Sequence, residues 1–468
     1  MDPAALIPVP PEVAALGARF AAAGRELHLV GGTVRDALLH RPSDDIDLTT
    51  DAPPVEALTL LKPHVSASWT VGMDFGTVGG QMGRHRVEIT TFRADQYDRV
   101  GRNPQVAFGT SLLADLRRRD FTMNAMALSV VDRVFTDPFG GLADLARGML
   151  RTPAPPEESF ADDPLRMLRA ARFTAQLSMP GRTLDLDDDA LAAIVRMVPE
   201  LGRITAERVQ GELTKLLLAE DPLRGLDLLA DTGMADVVLP ELPALRMAAD
   251  EHGQHKDVYA HTRQVLRQAI ALEDGEPDLT LRWAALLHDV GKPATRRVEG
   301  GRVSFHHHEV VGARMAKARL KALRYSKQLV EDVGRLVYLH LRFYGYGDAA
   351  WTDSAVRRYV TDAGPLLDRL NKLVRSDVTT RNQRRAMMLS AACDDLEQRI
   401  AELREQEELD AIRPDLDGNE IMRVLGIGPG PAVGKAYRFL LDRRMESGPL
   451  GHDQAVVELK AWARREGP

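Results

Sequence analysis

The sequence predicts a multidomain α+β protein, with an N-terminal α/β head followed by a long all-α remainder. Three observations predict it. At 468 residues the chain exceeds one ordinary domain, and at roughly 150 residues per domain about three are expected. A hydrophobic fraction of 44 % and a charged fraction of 28 % belong to a globular chain that buries cores, not to a disordered one. The pattern also changes near residue 150. Before it, short apolar runs alternate with glycine turns; after it, nearly everything follows a helical period.

Taken in order, the apolar runs at 27–30, 46–49, 77–81 and 86–91 predict strands. Helical spacing at 33–39 and around 125–130 completes a mixed head over 1–150. Segment 151–158 is proline-rich and predicts a linker. Beyond it, Asp162-Asp163-Pro164, Asp221-Pro222 and Asp353-Ser354 read as helix starts. The expected division is a helical neck at 151–248, a helical body at 249–385 and a helical tail at 386–468. Neither a fixed-period repeat nor a low-complexity tract interrupts it.

Composition excludes several classes. One cysteine, Cys393, rules out an intramolecular disulfide and any cysteine-rich zinc finger, and suits a reducing compartment. No run approaches 18 apolar residues, so no membrane partner is expected. Asp2 and several prolines stand where a signal peptide has a basic start and an apolar core, which predicts a cytoplasmic protein. The formal net charge of −7 argues weakly against a chain coated in nucleic acid. Arginines nevertheless cluster at Arg117, Arg118 and Arg119, at Arg166, Arg169 and Arg172, and at Arg381, Arg384 and Arg385. A nucleic-acid footprint is a local patch, although each cluster also reads as a solvated helix face.

The densest chemistry lies in Leu29-Val30-Gly31-Gly32-Thr33-Val34-Arg35-Asp36, followed by Asp45-Ile46-Asp47. A buried strand running into two glycines and a helix turns backbone N–H groups and a helix N-terminus toward a phosphate, with Arg35 one turn further on. Asp45 and Asp47, spaced i, i+2 on a strand, point to the same side. Two carboxylates beside a phosphate cradle suit Mg²⁺, which keeps oxygen ligands and bridges substrate phosphates. The plain alternative is a simple turn followed by a solvated Asp-x-Asp loop. Glu88, polar between Val87 and Ile89, is a candidate third carboxylate or simply an exposed strand position.

With these residues stand Arg118-Arg119-Asp120-Phe121-Thr122-Met123-Asn124-Ala125, Asp137-Pro138-Phe139-Gly140-Gly141-Leu142 and Asp163-Pro164-Leu165-Arg166-Met167-Leu168-Arg169-Ala170-Ala171-Arg172-Phe173. Together, in this order and over most of the chain, they resemble the bacterial class II tRNA nucleotidyltransferases, the CCA-adding and poly(A) polymerase family of the polymerase-β-like superfamily. The resemblance implies a nucleotidyltransferase head, with Gly32, Arg35 and Arg119 positioning the triphosphate.

Asp163, Arg166, Arg169 and Arg172 recur every three residues, a stripe over half of a predicted helix opposite Met167, Leu168 and Ala171. In isolation that is a salt-bridged surface helix. The resemblance implies instead that Asp163 and Arg166 hydrogen-bond the incoming CTP or ATP, so that the protein serves as the template, while Arg169 and Arg172 neutralise triphosphate. Relatives often carry Glu-Asp where this chain has Asp162-Asp163. Segment 91–104 is polar, broken by Gly101 and Pro104, and reads as a mobile loop. Its presence resembles enzymes that add all three nucleotides, although Asp95 replaces a common Glu.

Further along stand His261, His288-Asp289, the run His306-His307-His308-Glu309, His340 and Asp377. Imidazoles and carboxylates on helices are ligands for a one- or two-metal hydrolytic centre. His288-Asp289 ends an apolar helix at 281–287, which Gly291 is expected to stop. The set resembles the HD superfamily of metal-dependent phosphohydrolases. That resemblance favours His308 within its histidine run and implies a divalent transition metal held by His261, His288, Asp289, His308, His340 and Asp377. The glycine-rich segment 426–436 is no P-loop, because Pro429 stands where Gly is required and Ala436 where Ser or Thr would bind Mg²⁺. It reads as a helix start in a tail that touches tRNA.

The expected function is addition of CCA to tRNA 3′ ends from CTP and ATP with Mg²⁺. The rivals are a poly(A) polymerase, a partial enzyme adding only CC or only A, and a phosphohydrolase whose head merely binds RNA.

Overall fold

The computed structural model describes residues 2–41, 44–94, 107–109, 111–178, 183–246, 257–299, 302–345, 351–379, 382–406 and 412–466. It divides into two compact units, Met1–Val238 and Leu239–Pro468.

In the first unit, seven strands among the described residues form one sheet: β1 (Leu27–Val30), β2 (Asp45–Thr50), β3 (Ala67–Trp69), β4 (Thr77–Met82), β5 (His85–Thr91), β6 (Ala127–Ser129) and β7 (Phe135–Thr136), in the order β3-β4-β5-β2-β1-β6-β7. Pairing is antiparallel throughout except for β2 with β5. β1 lies near the middle with all four residues buried, three of them apolar and the fourth His28. In β2 the pleat buries Ile46 and Leu48 and leaves Asp45 and Asp47 together on the other face.

Around 125–130 the expected helix is a strand. Residues 122–124 make one 3₁₀ turn, and β6 then runs between β1 and β7. A short apolar run fits a buried helix or a buried strand equally well by periodicity, and here the open edge of β1 decides it.

Helix α1 (Gly31–Leu38) follows β1 directly, and α2 (Leu112–Arg117) precedes the 3₁₀ turn. The expected linker is shorter than its composition suggested, because Pro156 opens α3 (Pro156–Asp162), using the position where a missing N–H costs nothing. α4 (Leu165–Gln176) packs on α5 (Ala206–Leu217) and α6 (Leu223–Asp231).

Among the described residues the second unit is helical apart from one two-stranded ribbon, Arg297–Glu299 with Arg302–Ser304. Its body is α7 (Val258–Ala271), α8 (Leu279–Leu287), α9 (His308–Ala322), α10 (Lys327–Leu339) and α11 (Leu367–Ser376). α8 is buried from Leu281 to Leu287, and Trp283 at its centre meets Tyr325 edge-on at 5.6 Å between rings. After the long helix α12 (Gln383–Gln406) come α13 (Gly418–Leu425), α14 (Pro431–Ser447) and α15 (His452–Glu466). These three share their own core of Leu416, Ile421, Leu440, Leu459 and Trp462, with Phe439 stacked on Trp462. Segment 426–436 is the turn into α14: Gly426 caps α13 in the left-handed region at φ +65°. Cys393 is buried and free. Among the described residues no helix is long and apolar enough to cross a membrane.

Candidate functional site

The β1–α1 junction has no loop. Gly31 turns the chain at φ +63°, a left-handed conformation that favours glycine. A Cβ there would lie 3.2 Å from Arg119 Nη1 and 3.3 Å from Asp47 Oδ2, and one on Gly32 would lie 3.5 Å from Asp47 Oδ2. The glycines therefore let one backbone segment approach a carboxylate and a guanidinium at once. Thr33 ties the helix to the acidic strand, since its Oγ1 accepts from the Asp47 N–H at 2.7 Å.

Glu88 stands in register with Asp47 on the neighbouring strand. Burial pushes the Asp47 carboxyl above its ordinary value; Glu88 and Asp45 push the same way, and Arg119 and Arg35 oppose them. Glu88 also pairs with Arg86 at 2.9 Å. Asp45 and Asp47 on one strand face, with Glu88 on the next strand, are oxygen donors of the kind that suits a hard cation such as Mg²⁺.

The arginines divide by what they hold. Arg119 donates to Asp115 at 3.0 Å. Arg35 is buried as a strut, bidentate to Asp36 at 2.8 Å on each arm and donating to Asn124 at 2.7 Å. Arg166 donates to the carbonyl and hydroxyl of Ser159, at 3.1 and 2.8 Å, and to the carbonyl of Arg118. Arg169 reaches Asp120 at 2.6 Å, and Arg172 reaches Glu212 at 2.5 Å and Gln176 at 2.7 Å. Arg117 pairs with Glu158, the plain surface pairing.

The expected stripe is not one helix face. Asp163 sits in the turn before α4, its Oδ1 accepting the Leu165 N–H at 3.2 Å and its Oδ2 accepting from Arg208 at 2.7 Å. Arg172 is buried against α5. Pro164 is the reason: it cannot donate within a helix and resets the chain between α3 and α4. Ser159, Arg208 and Glu212 were not singled out from sequence, and Thr33, Asp120 and Asn124 stood within motifs there without a role of their own. Arg208 and Glu212, four apart on an amphipathic helix, carry no signal beyond that of a surface ion pair. Residues 95–104 of the polar segment, with Asp95, lie outside the described residues, as does Arg381.

In the second unit, the structure brings the six ligand-type residues together, His261 and His308 from within α7 and α9 and the others from the turns that end α8, α10 and α11. His261, His288 and Asp377 form one group, and Asp289, His308 and His340 another. His261 Nε2 lies 3.0 Å from Asp377 and 3.3 Å from Asp289; His288 Nε2 is 3.1 Å from Asp289, and His308 Nε2 is 3.3 Å from it. His306 and His307 are exposed. His288, His308 and His340 each place Nδ1 against the carbonyl three residues back, at 2.9, 2.8 and 2.6 Å, while His261 Nδ1 meets Thr379 Oγ1 at 2.8 Å. All four rings thus turn Nε2 inward, and for His288, His308 and His340 the carbonyl fixes the tautomer from outside, the arrangement that orients metal-ligating histidines.

His308 Nε2 is buried and makes no hydrogen bond, so the donor set fits a transition metal on an observation independent of its spacing. Burial works against a charged His261, but its hydrogen bonds to the carboxylates of Asp289 and Asp377 outweigh it and raise its pKa to about 9. Burial, helped by the charge of His288, lowers His340 to about 4. Gly291 does not stop α8 by a left-handed turn; its φ is −77°. It is needed because a Cβ would fall 2.1 Å from the His308 carbonyl, so the glycine lets the first turn of α9 close on the cluster.

Comparison with known proteins gives concordant findings. Family models match for the poly A polymerase head domain over 27–151, a probable RNA- and SrmB-binding site of polymerase A over 183–245, and an HD domain over 258–401. The A-adding tRNA nucleotidyltransferase of Deinococcus radiodurans is 36 % identical over 449 residues, covering 93 % of this chain and 94 % of that one. The CCA-adding enzyme of Enterococcus faecalis is 32 % identical over 350 residues, 75 % of this chain and 74 % of that one. Among solved structures, the Bacillus stearothermophilus CCA-adding enzyme in complex with CTP superposes with a TM-score of 0.68 at 25 % identity, covering 98 % of both chains. The Thermotoga maritima CCA-adding enzyme complexed with tRNA shares the fold at a TM-score of 0.61 and 18 % identity, covering 97 % of this chain and 96 % of that one.

Proposed function

The chain belongs to the tRNA nucleotidyltransferase family, and from that premise we propose that it rebuilds tRNA 3′ ends by adding C, C and A from CTP and ATP without a nucleic-acid template. One observation carries the reading. Arg166, on the base-reading side, bonds the carbonyl of Arg118, whose neighbour Arg119 stands with Asp47 at the glycine junction. A base-reading residue and a phosphate-facing residue are thereby held one peptide apart.

Asp45 and Asp47, with Glu88 beside them, would hold Mg²⁺, which supplies charge neutralisation at the reacting phosphate and acidifies the attacking hydroxyl. The tRNA 3′-hydroxyl attacks the α-phosphorus and pyrophosphate leaves. Backbone N–H groups of α1 and the Arg119 guanidinium orient the triphosphate. Arg35, Arg169 and Arg172 act behind them, since their guanidinium groups already serve Asp36, Asp120 and Glu212. Asp163 accepts and Arg166 donates, which matches the amine beside an unprotonated ring nitrogen that cytosine and adenine present on the edge where uracil and guanine present a carbonyl beside an N–H.

The test is tRNA without its CCA end, incubated with CTP and ATP separately and together. Three ordered additions followed by arrest are expected. The relative from Deinococcus radiodurans favours a second reading, addition of the final A alone; CTP would then never be incorporated, and only tRNA ending in CC would be extended. Long A tails on arbitrary RNA would mark a poly(A) polymerase. A tRNA substrate supports a cytoplasmic site of action.

For the second centre, the proposed activity is hydrolysis of phosphomonoesters or 2′,3′-cyclic phosphates. The six residues from His261 to Asp377 would hold a divalent transition metal, which supplies a hydroxide near neutral pH. Asp289, touched by histidines of both groups, would keep the ligands in register. Trimming damaged tRNA ends before the head rebuilds them gives the two centres a common substrate.

A further inference from the structure

We propose that Trp69 and Arg86 form a binding site for the unpaired 3′ strand of the RNA, on the face of the head sheet that carries the reactive carboxylates. The indole stacks on a base behind the reacting end, and the guanidinium meets a phosphate of the same strand. The proposal rests on the reading of that face as the place of transfer to tRNA.

Register places the two side chains. Asp47 pairs with Glu88, Glu88 with Gly79, and Gly79 with Trp69. Directly paired residues project from the same face of a sheet, so these positions form one row across β2, β5, β4 and β3. Asp45 pairs with Arg86 in the adjacent row of that face. With strands about 4.8 Å apart, Trp69 stands about 10 Å from Glu88 and about 14 Å from Asp47. About four stacked nucleotides cover that distance at about 3.4 Å each, and fewer do so when the strand is drawn out.

Gly79 leaves a gap in the row, and the indole lies down in it. A Cβ there would fall 2.2 Å from Trp69 Nε1 and 2.5 Å from its Cε2. The ring is thereby held against the sheet instead of projecting past the edge. Among the described residues β3 ends the sheet, so the indole stays only half-buried. Arg86 stands over the ring, 5.2 Å from its centroid, and donates to Glu88 at 2.9 Å. One exposed guanidinium thus joins an aromatic surface to a carboxylate of the reacting site. The connection that leaves β3 adds the exposed Val71 and Phe75.

An accessible ring beside a cation suits single-stranded nucleic acid, because every base has a π-face and every nucleotide a phosphate. Sheet order decides which strand it receives. The glycine junction that faces the triphosphate begins at β1, on one side of β2, and Trp69 lies on the other. In-line displacement brings the attacking hydroxyl from the side opposite the departing pyrophosphate. The side of the carboxylates away from the triphosphate is therefore the approach of the RNA end, and the row from Glu88 to Trp69 lies along it.

The plain alternative is a tryptophan that only covers a strand glycine. The experiment uses tRNA ending in CC with ATP, a substrate under either reading of the nucleotide preference. Leucine keeps apolar cover over Gly79 but cannot stack. We expect Trp69→Leu to raise KM for the tRNA about tenfold, the loss of one stacked base, with KM for ATP unchanged. Trp69→Phe should recover most of the loss. Arg86→Gln should lower the slope of log KM for tRNA against log salt by about one. Position is read separately in the wild type: a photoreactive thionucleotide placed just before the CC end should crosslink to the peptide carrying Trp69. A lowered melting temperature in Trp69→Leu with an unchanged KM for tRNA makes the indole a cover and overturns the proposal. Failure to crosslink to that peptide overturns it as well. If the wild type extends no tRNA, the reading of transfer fails, and the crosslink alone decides for or against the RNA site.

Discussion

Asp120 lies in the interior with its acceptor sites in use: the Phe121 N–H at 2.8 Å, the Asn124 amide at 2.9 Å, and the Arg169 guanidinium at 2.7 and 2.6 Å. Burial alone would raise its carboxyl, but the Arg169 charge and these hydrogen bonds outweigh it and hold the group well below the ordinary carboxylate range. A depressed folded-state value stabilises above the unfolded value near 4, and the contribution is lost as pH falls toward the folded value. Asp120→Asn should therefore lower stability by about 3 kcal/mol at pH 7, read by urea unfolding, and its deficit should shrink once the pH is below about 4. Gly31→Ala tests the junction. Left-handed backbone costs an L-residue about 1–2 kcal/mol, and the new methyl would press on Arg119 and Asp47, so kcat/KM for CTP should fall at least about tenfold in steady-state assays while the fold survives. Asp45, Asp47 and the glycine turn were visible as a constellation because the chemistry there is local in sequence. Arg208, Glu212 and Thr33 were not, because each acts on a partner that only packing brings within reach.

At the level of elements, β1, β2, β4 and β5 were legible within one or two residues, since alternation and apolar runs specify strands directly. β6 was not. Its residues fit either period, and only the sheet order, with β1 needing a neighbour, makes it a strand. The break between α3 and α4 was visible as Asp-Asp-Pro, yet the three-residue spacing across it suggested a single face. The histidines of the second unit were legible as a set but not as a geometry, because His261 and Asp377 are brought together by the packing of α7 on α11. α8 is the element on which that cluster depends. Trp283→Ala empties its centre and should destabilise the second unit by about 3–5 kcal/mol, measured by guanidinium unfolding, with the metal site lost in parallel.

For the whole molecule, two chemistries in two separately compact units should separate by mutation. Asp45→Ala should abolish nucleotide incorporation and leave metal-dependent hydrolysis of phosphomonoesters or cyclic phosphates; His288→Ala should do the reverse, both followed with labelled nucleotide and with released phosphate. If the metal-saturated protein hydrolyses none of these substrates, the second unit is a structural body for tRNA. A chelator strong enough to strip a transition metal should lower the unfolding midpoint of the second unit, because the buried carboxylates Asp289 and Asp377 would then lack a counter-ion beyond the imidazoles and Lys292. The four tryptophans have a spectroscopic consequence. Trp69 lies in the head sheet, Trp283 in the helical body and Trp462 in the core of α13–α15, with Trp351 also in the second unit. Chains keeping one indole each are thus a set of built-in optical probes. Emission from Trp283 should be the bluest and the least accessible to iodide, and melting curves read through Trp69 and through Trp462 would time the loss of the head and of the tail as separate events in the same molecule.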